Sequence, residues 1–382
     1  NGECEMWGNP LGEMIWETIR YFASAPTAGS PAPTAAFTSG VTSSGTGSPD
    51  GTLLLPLPSW WDPYSANASR NPTAAFPYCA KPYVLSISDV YPSFDSDSVP
   101  GAYSGFNASP PSATLPKADT SALSVSSLGQ TMWDNEPGLG GSQSVFIGQS
   151  GSTFDSAPTA KTVTSFGNVR GLAPSEPTRQ GSFSSSALAY WAHTHDLRTD
   201  LLGDQKVGFY SIALSPPLPT IEIPVGSNKV TIVPFAKSVG GASISAASGS
   251  FQPTNQIVDF YVDTIKNTSA GNTDASVNGG RPYYRFRINY EDVEQGADHD
   301  MDAISVYDIW LNADNSVSVN VKSEYAAGGI MQHMGYVIAG TTADGTYLVV
   351  RDTDTATASD PNYFLDTPNT GSALPLTFSS AV

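Results

Sequence analysis

An acidic run between Glu291 and Asp302 contains the residues of this sequence best suited to chemistry. Six carboxylates fall within twelve positions: Glu291, Asp292, Glu294, Asp298, Asp300 and Asp302. Carboxylates this close repel one another strongly unless a cation or solvent ions neutralise them. Ca²⁺ takes about six to eight oxygen ligands in flexible geometry, which an Asp-x-Asp-x-Asp run with a glycine turn can provide. We predict a calcium site here, with Asp298, Asp300 and Asp302 as the preferred ligands.

A solvated acidic loop on an acidic protein is the alternative interpretation of this run. The spacing of the carboxylates matches no EF-hand loop, so the pattern alone leaves both interpretations open. In either case the run separates two alternating apolar patterns that are typical of strands, one ending at Tyr290 and the other including Ile304 and Val306.

The composition excludes several classes of function. The 382 residues include 17 Lys and Arg against 35 Asp and Glu, which gives a net charge of -18. Such a chain repels nucleic-acid phosphates and anionic membranes. Only 14% of residues are charged, while 35 are Gly and 30 are Pro, which is typical of a loop-rich, β-rich secreted protein. No apolar run approaches the roughly 18 residues of a membrane span, so we predict no membrane insertion.

Two cysteines, Cys4 and Cys79, complete the set of candidate reactive groups. In an oxidising compartment such a pair predicts one disulfide closing a long loop. Two buried free thiols are the alternative. The sequence contains no Cys-x-x-Cys and no Cys/His metal spacing, so it gives no support for a zinc site. Without an initiator Met or a signal peptide, the chain is expected to be a processed or trimmed product.

Catalytic patterns are weak throughout the sequence. No Gly-x-Ser-x-Gly elbow occurs, and no spacing of Ser, His and Asp stands out. His193 and His195 stand two positions apart in a predicted helix, where their side chains face different directions. We therefore predict that the protein is not an enzyme.

The first half of the chain, residues 1–216, predicts an α/β domain. Apolar residues at helical spacing predict a helix over Leu11–Ala23, with Asn9 at its N-cap. A buried strand over Tyr83–Asp89, a helix over Ser185–His195 and a strand over Lys206–Leu214 follow the order of a βαβ unit. Long insertions rich in Ser, Thr, Gly and Pro interrupt the domain over residues 24–56 and 91–182, the second with strand-like pieces at Ser144–Ile147 and Lys161–Ser165.

The second half, residues 217–382, predicts an antiparallel β-sandwich-like module, with the boundary near Ser215–Pro219. Its short alternating segments are separated by Gly, Asn, Asp and Ser turns, with no convincing helix between them. Nine strands are predicted, over Thr220–Pro224, Lys229–Ala236, Ile257–Ile265, Tyr283–Tyr290, Asp302–Leu311, Ser316–Ser323, Met334–Gly340, Thr346–Asp352 and Tyr363–Leu365.

Five segments together resemble known proteins. The segment Cys4–Phe22, with Trp-Gly-Asn-Pro-Leu-Gly-Glu-Met, is similar to the one that follows the metal-binding loop of von Willebrand factor A domains. Tyr78–Asp89 is similar to a later strand of those domains, which ends in an Asp of the metal site. With Ala189–Arg198, Glu291–Gly296 and Ala326–Gly329, the sequence resembles the PilY-like proteins, which are type IV pilus-tip adhesins and pilus-biogenesis factors.

The resemblance implies a partial von Willebrand factor A-like, or Rossmann-like, sheet followed by the β-module. It also implies a metal site at Asp89 and Asn9, where Asn9 stands in place of the family's metal-binding Thr. Asp95 and Asp97 follow on the next loop. The first metal motif of von Willebrand factor A domains, Asp-x-Ser-x-Ser, does not occur ahead of the opening helix, and the C-terminal β-propeller of the PilY-like proteins is missing from this sequence. A structural Asp cap is therefore the alternative to a functional metal site at Asp89.

From the residues and the resemblance together we predict a secreted, cell-surface component of a type IV pilus-associated adhesin. It would be stabilised by Ca²⁺, lack catalytic activity and act in surface attachment or pilus biogenesis. The expected partners are pilus minor pilins or an upstream fragment of the same precursor that restores the missing first strand. The alternative function is a structural subunit that self-assembles into an extracellular filament or surface layer.

Overall fold

The computed structural model describes residues 9–23, 62–64, 76–89, 92–171, 180–214, 221–239, 255–292, 301–327, 331–352, 364–365 and 377–382. Within these ranges the strands form three sheets: a parallel pair, a three-stranded antiparallel sheet and a ten-stranded antiparallel sheet. No helix of these ranges is long and apolar enough to cross a membrane.

Helix α1 (Leu11–Ala23) confirms the prediction made from its apolar spacing. The amide of Met14 donates to the carbonyl of Pro10 at 3.0 Å, so Pro10 begins the helical ladder, where its missing N–H costs little. Ile15 and Ile19 lie one helical turn apart on the buried face. They anchor the helix in the core of the first half.

The parallel pair consists of β1 (Tyr83–Asp89) and β5 (Gly208–Leu214), which are in register along their whole length. Helices α2 (Val125–Asn135) and α3 (Ser184–Thr194) pack into the same core as α1. The predicted order of strand, helix and strand is confirmed, because β1 and β5 flank α3 in the sequence and pair in parallel. A larger von Willebrand factor A-like sheet is not seen among the described residues, where β1 and β5 pair only with each other.

The region 91–182 departs from the prediction of a loop-rich insertion. It contains α2 and an antiparallel sheet of β2 (Gln143–Ser150), β3 (Thr153–Val163) and β4 (Val169–Arg170), in the order β3-β2-β4. A small apolar core with Trp133 at its centre packs between α2 and this sheet. The two strand-like pieces at Ser144–Ile147 and Lys161–Ser165 fall at β2 and at the end of β3.

Helix α2 has a glycine in its interior, which explains why the sequence pattern did not predict this helix. A helix with Gly129 in its interior has a low intrinsic propensity. Here, however, a Cβ on Gly129 would lie 2.4 Å from the amide nitrogen of Gly167, and one on Gly167 would lie 2.0 Å from the carbonyl oxygen of Ser126. The close approach of two backbones therefore requires both glycines, and packing outweighs their poor helical propensity.

The second half folds as a ten-stranded antiparallel sheet. Its strands are β6 (Ile221–Val225), β7 (Asn228–Val239), β8 (Asn255–Lys266), β9 (Tyr283–Asp292), β10 (Ala303–Leu311), β11 (Val317–Ala326), β12 (Met331–Ala339), β13 (Gly345–Asp352), β14 (Phe364–Leu365) and β15 (Thr377–Ser380). The strand order is β14-β13-β12-β7-β8-β9-β10-β11-β15, with β6 paired to β7. All nine predicted strands are present, and β15 is an additional strand.

This sheet folds over on itself at β7 and β8, which pair only through Ala236 and Asn255. As a result β11 packs across the core against β12 and β13. The two buried hydroxyls of Tyr290 and Tyr307 lie 2.7 Å apart, and Tyr307 donates to the carbonyl of Gly335 at 2.7 Å. Because buried hydroxyls without partners are costly, these bonds fix how the two layers meet.

The proposed boundary between residues 216 and 217 lies outside the described residues, so the division into 1–216 and 217–382 stays a prediction. The insertion over 24–56 also lies outside them. Strands before residue 215 pair only with one another in the described ranges, and so do strands after residue 220.

Candidate functional site

A residue that follows β1 contacts the start of α1. Ser93 follows Asp89 by four residues, and its side-chain oxygen accepts a hydrogen bond from the amide of Asn9 at 2.7 Å. The amide of Ser93 in turn donates to the carbonyl of Asn9 at 2.9 Å. This end of a parallel strand, beside the amino end of a helix, is where open α/β sheets bind ligands.

Asp95 fills the amino end of α1. Its fully buried carboxylate accepts hydrogen bonds from the amide of Gly12 and from the hydroxyl of Ser182, the latter at 3.4 Å. A Cβ at Gly12 would lie 2.7 Å from the Asp95 carboxylate and 2.8 Å from the Cβ of Ser184, so only glycine fits. The hydrogen bond gives the amide of Gly12, which has no partner within the helix, an acceptor at the helix end.

Burial raises the pKa of Asp95 well above its usual value, and the hydrogen bond from Gly12 only partly offsets this. The protein's own donors already occupy this carboxyl group. Asp95 therefore acts as a structural cap of α1, a role the sequence analysis considered only for Asp89.

A pair of carboxyl groups lies beside this cap. Glu13 and Asp97 share a hydrogen bond, and the amide of Ser98 donates to Glu13 at 3.2 Å. Burial, and then the charge of Asp97, raise the pKa of Glu13 to about 7. Such a pair holds one proton near neutral pH, since two ionised carboxylates this close repel each other.

The structure describes only part of the predicted metal site at Asp89 and Asn9. Asn9 contributes its backbone to the contacts with Ser93, and Asp89 ends β1, while the side chain of Asp89 lies outside the description. Among the described residues, no three His, Cys, Asp or Glu side chains gather in a metal-binding cluster. Metal binding at this position stays a prediction.

The acidic run connects β9 to β10. Glu291 and Asp292 are the last residues of β9, and Asp302 directly precedes β10. The amide of Asp302 donates to the carbonyl of Tyr290 at 3.0 Å, and the side chain of Glu291 is buried. The hairpin thus brings the two ends of the run together.

Three other predicted ligands, Glu294, Asp298 and Asp300, lie outside the described residues, so the calcium site also stays a prediction. The same holds for the disulfide. Cys79 is exposed and carries a free thiol in the structure, and Cys4 lies outside the described residues.

An ion-pair network around Arg198 was missed by sequence reasoning. The guanidinium of Arg198 is buried and donates to Asp62 at 2.6 and 3.0 Å and to Asp200 at 2.8 and 3.0 Å. Lys117 contacts both carboxylates, at 3.2 and 3.1 Å, and the ring of Tyr64 lies under the guanidinium, 5.0 Å from its carbon. Burial alone raises the pKa of Asp62, but the hydrogen bonds from Arg198 and its neighbours hold it below its usual value.

This network ties the short described segment 62–64 to a loop more than a hundred residues later. The one available signal was composition: in a chain with so few charged residues, a charged Asp-Leu-Arg-Thr-Asp loop is unusual. Sequence alone does not show that Asp62 is the partner of Arg198. The network joins residues 62–64 to the loop that follows α3.

Two family models match separate parts of the chain. Residues 1–192 match the model described as PilY1 homolog, second domain. Residues 223–375 match the model described as PilY1 homolog, beta-sandwich. The chain belongs to the PilY1-homologue family. The resemblance inferred from the sequence is thereby confirmed, and so is the β-sandwich of the second half.

A curated relative of the chain supports the same assignment. The chain is 45% identical over 381 residues to the type IV pilus biogenesis factor PilY1 homolog of Xylella fastidiosa (strain Temecula1 / ATCC 700964). The alignment covers 96% of this chain but 24% of that protein, so the chain spans about a quarter of its relative's length. No solved structure matches the chain.

Proposed function

We propose that this chain is the non-catalytic, extracellular part of a type IV pilus biogenesis factor, acting at the cell surface in pilus assembly and attachment. The observation that carries the proposal is the 45% identity, over 96% of this chain, to a protein named as such a factor. The composition supports an exported protein, because the chain is acidic and rich in Gly, Ser, Thr and Pro. Minor pilins of the pilus are the expected partners.

The β-sandwich and the capped helix α1 give this part of the factor a rigid frame for presenting loops. In the proposal, the β9–β10 hairpin carries a Ca²⁺ ion that neutralises the acidic run. Two features support this: buried Glu291 lies at one end of the run, and Asp302 is held at the other end by a backbone hydrogen bond to Tyr290. Neutralisation by an ion removes the repulsion among the carboxylates.

An in-frame chromosomal deletion of the codons for residues 221–382 tests the proposal. We expect few or no surface pili by negative-stain electron microscopy, while the major pilin still accumulates in the cell. Complementation with the wild-type gene is the control. Normal numbers of pili together with a loss of attachment would show that the deleted region acts in adhesion and not in pilus assembly. Normal numbers of pili and normal attachment would contradict the proposal.

One observation favours the alternative of a self-assembling structural subunit. After Asn255, β8 pairs only with β9 in the described residues, so one edge of this long strand is unpaired there. Exposed apolar side chains, including Val258, Tyr261 and Val262, line the strand. Free edges of this kind promote strand pairing between copies. Regular polymers of the purified chain in negative-stain images would support this alternative, and a monodisperse chain would refute it.

A further inference from the structure

An apolar surface covers the outer face of the parallel pair β1 and β5. Its five side chains are those of Tyr83, Leu85, Ile87, Tyr210 and Ile212, and each is at least 50% exposed. In the register of the pair, Leu85 lies opposite Tyr210 and Ile87 opposite Ile212. The five therefore form one continuous patch, which we call the β1–β5 face.

The opposite face of the same strands is packed. Val84 of β1 and Phe209 of β5 contact the core that contains α1, α2 and α3. Each strand also has one edge without a partner in the described part of the chain. Parallel sheets are normally covered on both faces, and a two-stranded sheet by itself has little stability. The pair thus has the form of a fragment of a larger sheet.

The order of domains in the family indicates which part of the longer protein could cover the β1–β5 face. The model that matches residues 1–192 is described as a second domain, which implies a first domain before it. The relative from Xylella is about four times as long as the aligned region, since that region covers 24% of it. Ample chain therefore exists outside these residues to cover the β1–β5 face.

A second copy of this chain fits the face less well. Each copy carries a net charge of -18, so two copies repel each other. A neighbouring domain on the same polypeptide is held at a high effective concentration and pays less entropy on docking.

We propose that the domain preceding this chain in the longer protein docks on the β1–β5 face and extends its sheet. That domain would supply at least one further strand beside β1 or β5 and an apolar layer over Leu85, Ile87 and Ile212. The two parts would then share one hydrophobic core, so that the first domain and this chain fold as a unit. The inference does not depend on the role of the protein in pili.

Hydrogen exchange measured by mass spectrometry tests the proposal. Two polypeptides are compared: the 382-residue chain, and the same chain extended at its amino end by the preceding coding sequence. We expect the amides of 83–89 and 208–214 to exchange at least about tenfold more slowly in the extended polypeptide, because new backbone hydrogen bonds protect them. The amides of β9 and β10, deep in the sandwich, serve as the control for folding.

Variants made in the extended polypeptide sharpen the test. Ile87→Asp and Ile212→Asp place a charge in the docked face, and we expect each to return the exchange of β1 and β5 to the rate of the unextended chain. Leu202→Asp is the matched control, because Leu202 is exposed in the bend before β5 and is not one of the five side chains of the face. It should leave the protection unchanged.

Three results would overturn the proposal. The first is equal exchange of β1 and β5 in the two polypeptides. The second is an effect of Ile87→Asp no larger than that of Leu202→Asp. The third is protection in the unextended chain that grows with protein concentration, which would identify a second copy as the occupant.

Discussion

Replacing Glu13 by Gln should make the stability of this protein less dependent on pH. Glu13 lies in the first turn of α1, partly buried, and shares a hydrogen bond with Asp97. Gln has the shape of the protonated Glu side chain but carries no charge at any pH. Its carbonyl can still accept the hydrogen bond from Ser98, and its amide can donate to Asp97. The variant therefore removes the ionisation and keeps the contacts.

The direction of the effect follows from the raised pKa. Burial and the charge of Asp97 raise the pKa of Glu13 from 4.5 to about 7 in the folded protein. The folded state thus binds the proton more tightly than the unfolded chain between these two values. The stability gained from proton binding is full below about pH 4.5 and is lost as the pH rises through about 7. The wild type should lose stability over this window because of Glu13, and the variant should not.

The magnitude follows from the same numbers. A difference of about 2.5 pH units corresponds to about 3.4 kcal/mol, at 1.36 kcal/mol per unit. Glu13 is only partly buried, and solvent screening reduces this to roughly 1–2 kcal/mol. We therefore expect Glu13→Gln to raise the free energy of unfolding by this amount at pH 8 and to leave it unchanged near pH 4.5.

Urea denaturation at several pH values, followed by tryptophan fluorescence, measures this difference. Trp16 and Trp191 are buried in the same core as α1 and report its unfolding. Glu136→Gln is the matched control, since Glu136 is exposed and should give the same pH profile as the wild type. Parallel profiles for the wild type and Glu13→Gln, or a variant less stable at pH 8, would refute the reasoning.

Three further predictions concern other parts of the chain. Arg198→Ala should lower the free energy of unfolding by about 3–5 kcal/mol, because it leaves Asp62 buried without its main partner; a loss below 1 kcal/mol in urea denaturation would show that the network is weak. Gly12→Ala should destabilise the protein by about 1–3 kcal/mol by driving a Cβ into the Asp95 carboxylate, and an unchanged thermal midpoint would contradict that packing. EDTA should lower the thermal midpoint and added Ca²⁺ should restore it, whereas Asp302→Asn should reduce both responses; a midpoint that EDTA does not change would remove the calcium hypothesis.

The local elements were largely readable from the sequence. The spacing of Ile15 and Ile19 predicted α1, and alternation of apolar residues predicted nine strands of the sandwich. Helical and strand periods are encoded within a few consecutive residues, so that short segments carry enough information. The resemblance to the PilY-like proteins was likewise carried by short segments, and the family models confirmed it.

The contacts between distant residues were decided only by the tertiary structure. Asp95 caps α1 from 83 positions away from Gly12, and Asp62 meets Arg198 across 136 positions. No local pattern pairs such residues, because their proximity depends on how the helices and the parallel pair pack. Burial then changes the chemistry of the groups that packing brings together. It raises the pKa of Glu13 toward neutrality, and it leaves the buried guanidinium of Arg198 reliant on the carboxylates of Asp62 and Asp200. The sequence by itself determined α1, α3, the parallel pair and nine strands of the sandwich. Packing decided that α2 forms around its glycine, and which carboxylates act as caps, share a proton or pair with arginine.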